Sequence, residues 1–233
     1  MNSIRKLITT QVPLAQRALR PSSSIISQSR SVVYLHKGPR VRGLVRDEED
    51  YMYSPSGKKY GLNQENLQSL KEFLGKEYEL PDELSLQILT HKSFAHGIKP
   101  FNEKLSILGS HFLKNRASLY TIHKQESKDV DADINGLSIS QLGSLTSRNI
   151  TSSEILYAFI KKNNLTDVIF WKKRDALLTD PSKSGEIKVS DGVVKAIIGA
   201  ILSHHGKVKA EKFIDDVLLN SSNEKSLVNL SQN

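Results

Sequence analysis

The residues that invite a chemical reading fall into three groups. Asp131, Asp133, Asn135 and Gly136 spell D-x-D-x-N-G, the opening of a calcium loop. Such a loop needs a closing bidentate acid, and the position where it should fall is Leu142. The stretch therefore reads as filler between two helices. Histidines form the second group. His204 and His205 precede Gly206 at the end of an apolar run, where imidazoles meet the negative end of a helix dipole and cap it. His91 and His96 have no acid or thiol close by in sequence and support no nucleophilic triad. No metal site and no cofactor is expected. The third group is cationic: Lys37, Arg40, Arg42 and Arg46, then Lys58 and Lys59, then Trp171, Lys172, Lys173 and Arg174. Cations take phosphate oxygens and an aromatic ring stacks on a base, which makes these candidate RNA contacts. Trp171 in the core beside solvated cations is the other reading.

Charge is unevenly spread over the 233 residues. Residues 1–46 hold nine Lys/Arg and no acid, whereas the rest is close to neutral, so the net charge of +8 is a property of the front. That front is rich in Arg and Ser and sets Ile4, Leu7 and Ile8, then Leu14, Ala18 and Leu19, at helical spacing, the composition of a mitochondrial transit peptide. Cleavage between Arg30 and Lys37 would leave a basic tail; a retained basic arm that binds nucleic acid is the alternative. Cysteine is absent, which excludes disulfides and thiolate metal sites and suits a reducing interior compartment. No apolar run approaches the ~20 residues of a membrane span.

Helices must position whatever chemistry there is. Residues 34–64 show neither period and read as an extended arm. Leu67, Leu70 and Leu74 predict a helix ended by Gly75, and Pro81 opens a second with Leu84, Ile88 and Leu89. Asn102 is the expected N-cap of a third, carrying Leu105, Leu108 and Phe112. Thr151 to Ser153 precede EILYAFIKKNNL, stopped by its Asn pair. Ser190 or Asp191 is the expected cap of GVVKAIIGAILSHHG, whose near-continuous apolarity predicts a central buried helix. A last helix is expected over 207–219, and residues 220–233 read as a disordered tail. No strand is expected.

The landmarks THKSF, NEKLSILG, LGSLTSRN and GVVKAIIGAIL occur in an order that resembles the ribonuclease III domain. The resemblance covers residues 65–219 and implies an all-α fold, a helical endonuclease domain that dimerises and acts on double-stranded RNA. It further implies four carboxylates per subunit that bind divalent metal, which activates water and stabilises charge on the scissile phosphate. At those places stand Ser106 and Ser110, at i and i+4, and Gly192 and Lys195, at i and i+3. Hydroxyls carry no charge, glycine supplies no ligand, and lysine brings a positive charge to a cation's place. Cleavage is therefore not expected. Lys195 is expected to replace the missing metal charge by pairing with a neighbouring acid or an RNA phosphate. Glu103 matches a family glutamate but is explained as a first-turn acid facing the helix dipole.

Ile107, Leu108 and Gly109 fall where the family's partner contact lies, although a buried core role for Ile107 competes. Only 14 residues follow Leu219, too few for the family's separate RNA-binding domain. The degenerate site and the basic front together resemble the ribonuclease III-like proteins of the mitochondrial large ribosomal subunit, specifically the shorter fungal type. That resemblance implies a non-enzymatic matrix protein bound to large-subunit ribosomal RNA, to other large-subunit ribosomal proteins and, as a heterodimer, to a longer ribonuclease III-like ribosomal protein. Two rivals remain: a subunit of an RNA-processing nuclease whose partner supplies the active site, and a non-ribosomal regulatory module that never touches RNA.

Overall fold

The spacing Leu67, Leu70, Leu74 builds helix α1 (Gln64–Leu74), and Gly75 stops it at φ 64, a backbone conformation that costs glycine nothing. The computed structural model of the chain describes residues 52–124, 133–134, 137–138, 142–173, 175 and 177–232, all of them within the compact unit 46–233. The expected transit peptide, residues 1–33, and the basic tail bearing Lys37, Arg40, Arg42 and Arg46 lie outside the described residues.

Pro81 stands before α2 (Asp82–Leu89), whose Leu86, Ile88 and Leu89 are buried. The long helix α3 (Glu103–Lys124) follows Asn102. Asn102 is 2% exposed, and its side-chain amide donates to the Ile88 carbonyl at 2.9 Å, which ties the start of α3 to the end of α2. A two-residue hairpin, β1 (Asp133–Ile134) and β2 (Leu137–Ser138), pairs Ile134 with Leu137 across an antiparallel register. It corrects the expectation that the chain has no strand.

Ser144 and Ser152 accept from Ser147 N–H and Ile155 N–H, capping α4 (Leu145–Ile150) and α5 (Ser153–Lys162). After α5 the chain runs extended: Phe170 N–H donates to Leu89 O at 2.8 Å and His91 N–H to Phe170 O at 2.8 Å. Asp180 caps the short α6 (Pro181–Ser184).

Helix α7 (Glu186–His205) starts earlier than expected. Ser190 is fully buried inside it and caps nothing, and Asp191 turns its side chain to Lys195. The helix is central, as its apolarity predicted, with Val193, Val194, Ile197, Ile198 and Ile201 all at 1% exposure or less. α8 (Lys207–Phe213) runs into a π-turn, Ile214–Leu218. Arg116 of α3 reaches Glu211 and Asp215 on this last segment. Among the described residues no helix is long and apolar enough to cross a membrane.

Two boundaries differ from expectation. Residues 220–232 are not a disordered tail: Ser226 caps α9 (Leu227–Leu230), which buries Leu227, Val228 and Leu230. Its polar neighbours hold the turn, since Asn229 Nδ2 donates to Ser221 O and Asn223 O. The described end of the arm also packs onto the body. Met52 and Ser54 are buried, and the Tyr60 ring lies 5.2 Å from Phe94 and 5.3 Å from Phe170.

Candidate functional site

Helices α3 and α7 cross at Gly109 and Gly199. A methyl group built on Gly109 would overlap the Lys195 carbonyl and come within 2.8 Å of Gly199 N, and one built on Gly199 would overlap the Leu105 carbonyl. The absence of Cβ at both positions lets the two backbones touch. Gly109 is thus buried in this crossing, so its place in the chain is explained by the contact between α3 and α7. Ile107 and Leu108, by contrast, are 58% and 42% exposed, so the core reading of Ile107 does not hold.

Beside the crossing the helices diverge into a cleft of about 690 Å³. Ser106 and Ser110 line one wall, Gly192 and Lys195 the other. A Cβ on Gly192 would sit 3.9 Å from Ser106 Oγ, so the two pairs of positions face each other. The third wall comes from His91, Lys92 and Ser93 after α2.

The electrostatics of this cleft are cationic. Lys92, Lys114, Lys188 and Lys195 line it against two carboxylates, Glu103 and Asp191. Both carboxylates are occupied. Lys92 Nζ lies 3.1 Å from both Glu103 oxygens, and Lys195 Nζ lies 2.6 and 2.8 Å from those of Asp191, which also accepts from Ser153 Oγ at 3.2 Å. Lys195 therefore has a neighbouring acid as its partner. Burial pushes the His91 imidazole below its ordinary value of 6.5, with Glu103 opposing and Lys92 reinforcing. Its Nδ1 accepts from Ser93 N–H at 3.1 Å, an arrangement of the neutral ring.

These residues do not fit a divalent ion. Magnesium requires several hard anionic oxygens, and the four facing positions present two hydroxyls, a glycine and an ammonium. Among the described residues no group of three or more His, Asp or Glu side chains could hold a metal.

The other candidates lie apart from this wall. Trp171 is 6% exposed and packed in the core, so it cannot stack on a base; its indole serves the fold. Lys172 follows at the surface, its N–H donating to Ser93 Oγ at 3.0 Å, which sets its backbone at the rim of the cleft, with Lys173 next to it. Arg174 lies outside the described residues. Lys58 and Lys59 sit on a turn closed by the Tyr53–Lys59 bridge. His205 Nε2 donates to Glu79 O at 2.9 Å, tying the end of α7 to the α1–α2 connection as well as meeting the helix dipole. Lys92, Lys114 and Lys188 were missed as site residues. Lys114 continues the i, i+4 row of Ser106 and Ser110, and Lys188 stands one turn before Gly192, so helical spacing alone could have found those two.

A mostly helical body with a polar cleft beside a glycine crossing is the class that fold and site define. The Ribonuclease-III-like family profile matches residues 81–222, and the chain belongs to that family. Among solved structures, the chain is 25% identical to the nuclease domain of ribonuclease III from Campylobacter jejuni, covering 65% of this chain and 92% of that one, with a TM-score of 0.49. A second structure of that nuclease domain, described for flexibility in a region involved in dimer formation, also shows 25% identity, covers 66% and 94%, and has a TM-score of 0.48.

Proposed function

We propose that this protein is a non-catalytic, structural component of the mitochondrial large ribosomal subunit, held there by ribosomal RNA and by a ribonuclease III-like partner. One observation carries the reading: at the wall where the family's chemistry needs anionic oxygens, Ser106, Ser110, Gly192 and the Asp191-paired Lys195 offer none that is free. The fold is kept while the donor set is absent, which suits a docking body. The uneven charge adds support, since nine cations without an acid precede a nearly neutral domain. Sedimentation of mitochondrial extract tests it. The protein is expected in fractions containing large subunits, and its confinement to light fractions would contradict the proposal.

The exposed pair Ile107 and Leu108 beside the cleft favours a second reading, in which the chain lends its shape to a partner that cuts RNA. Incubating the purified complex with duplex RNA and Mg²⁺ separates the two. The ribosomal reading expects the RNA to remain intact.

A further inference from the structure

We propose that the cleft between α3 and α7 is a metal-free phosphate site, in which Lys114 and Lys188 contact the backbone of an RNA directly. The inference rests on the RNA-binding reading above and assigns it a place and a mode. Four ammonium groups and two carboxylates line the cleft. Lys92 and Lys195 are matched by Glu103 and Asp191, whereas Lys114 and Lys188 have no carboxylate partner among the described residues. Exposed lysines are ordinary on a surface. These two differ in opening onto one concavity, where walls of low dielectric concentrate the field of unmatched charge.

The floor suits an anion as well. Ser106 and Ser110 bring hydroxyls that donate to phosphate oxygens, and Gly192 presents no side chain to obstruct approach. A divalent cation is disfavoured on the same grounds, because each carboxylate is already matched by an ammonium. At the rim of the cleft Ser93 accepts from the Lys172 backbone, which brings an exposed lysine to its edge. An extended ligand carrying regularly repeated negative charge fits this run of cations better than a single small anion does. Among such ligands RNA is favoured over an acidic peptide, since ribosomal RNA is the partner proposed above and its phosphates repeat along the whole strand.

The test uses the full chain and a short double-stranded RNA, with binding followed by fluorescence anisotropy in EDTA and in Mg²⁺. Wild type is expected to bind in EDTA at least as tightly as in Mg²⁺. Lys114→Glu with Lys188→Glu should weaken binding at least about ten-fold and lower the slope of log affinity against log salt by about two. Lys114→Arg with Lys188→Arg should retain binding, and Lys161→Glu with Lys162→Glu, on the end of α5 away from the cleft, should lose little. If the reversed variant misfolds, Lys114→Gln with Lys188→Gln, checked by its thermal melt, must still weaken binding. Undiminished affinity in the charge-altered pair would overturn the site while leaving association with large subunits intact. Loss of wild-type binding in EDTA would overturn the metal-free mode. Displacement of the RNA by polyglutamate at matched charge would reassign the cleft to an acidic protein segment. Failure of wild type to bind any RNA, together with its absence from large subunits, would remove both proposals.

Discussion

Lys195 and Asp191 stand one helical turn apart with side chains only 16% and 14% exposed, so their pairing is largely withdrawn from water. Removing one partner leaves the other charged and poorly solvated. Asp191→Asn is expected to destabilise the fold by about 2–3 kcal/mol, somewhat less than for a fully buried pair. Asp191→Leu with Lys195→Met should recover most of that loss, because no orphan charge remains. Chemical denaturation of the three variants measures both outcomes. His91 makes a second test at this scale. Its folded value lies below 6.5, so the native state binds fewer protons than the unfolded chain at mildly acid pH. The stabilising contribution is complete above the unfolded value and is lost as pH falls through the folded one. Melting temperature should drop on acidification from about pH 7.5 to 5.5, and His91→Gln should flatten that drop. The i, i+4 spacing of Asp191 and Lys195 was readable in advance. That the pair would face a cleft rather than solvent was not, because helical periodicity places residues on a face without saying what lies opposite.

At the scale of elements, three glycines in α3 and α7 do different work. Gly109 and Gly199 hold the crossing, where any Cβ meets the backbone of the other helix. Backbone cannot step aside as a side chain can, so Gly109→Ala and Gly199→Ala are each expected to cost about 3 kcal/mol or more. Gly192 has only the Ser106 hydroxyl nearby, at 3.9 Å. Gly192→Ala should therefore stabilise by about 0.5–1 kcal/mol through helix propensity alone. Thermal melts of the three alanine variants would show opposite signs. The start of α7 teaches a related lesson: Ser190 has the chemistry of a cap, yet the helix begins at Glu186 and buries it. Packing against α3 extends a helix past a residue that local preference would have used to start one.

For the molecule as a whole, the closing turn is part of the core. Leu227→Ala is expected to cost about 2–4 kcal/mol, and ending the chain after Leu219 should lower the melting temperature and increase protease sensitivity, since Leu227, Val228 and Leu230 would no longer cover α4 and α5. Unchanged stability after that truncation would place the core boundary at Leu219 after all. The segment escaped the sequence reading because three apolar residues among Ser and Asn make too short a pattern for a period to emerge. The arm escaped likewise: Met52 and Tyr60 are single anchors, and a lone apolar residue announces no partner.

Local pattern by itself determined the succession of helices, the stops at Gly75 and Asn163, and the buried character of the segment from Val193 to Ile201, because these depend on chemistry between near neighbours in the chain. It also determined which side chains stand at positions 106, 110, 192 and 195. Only the tertiary structure decided that these four line one cleft with Lys92, Lys114 and Lys188, that Trp171 turns inward, and that Gly109 belongs to a helix crossing. Each of those outcomes depends on where residues far apart in the chain are brought together, and that distance is set by the packing of α3 on α7 rather than by any preference of the residues themselves.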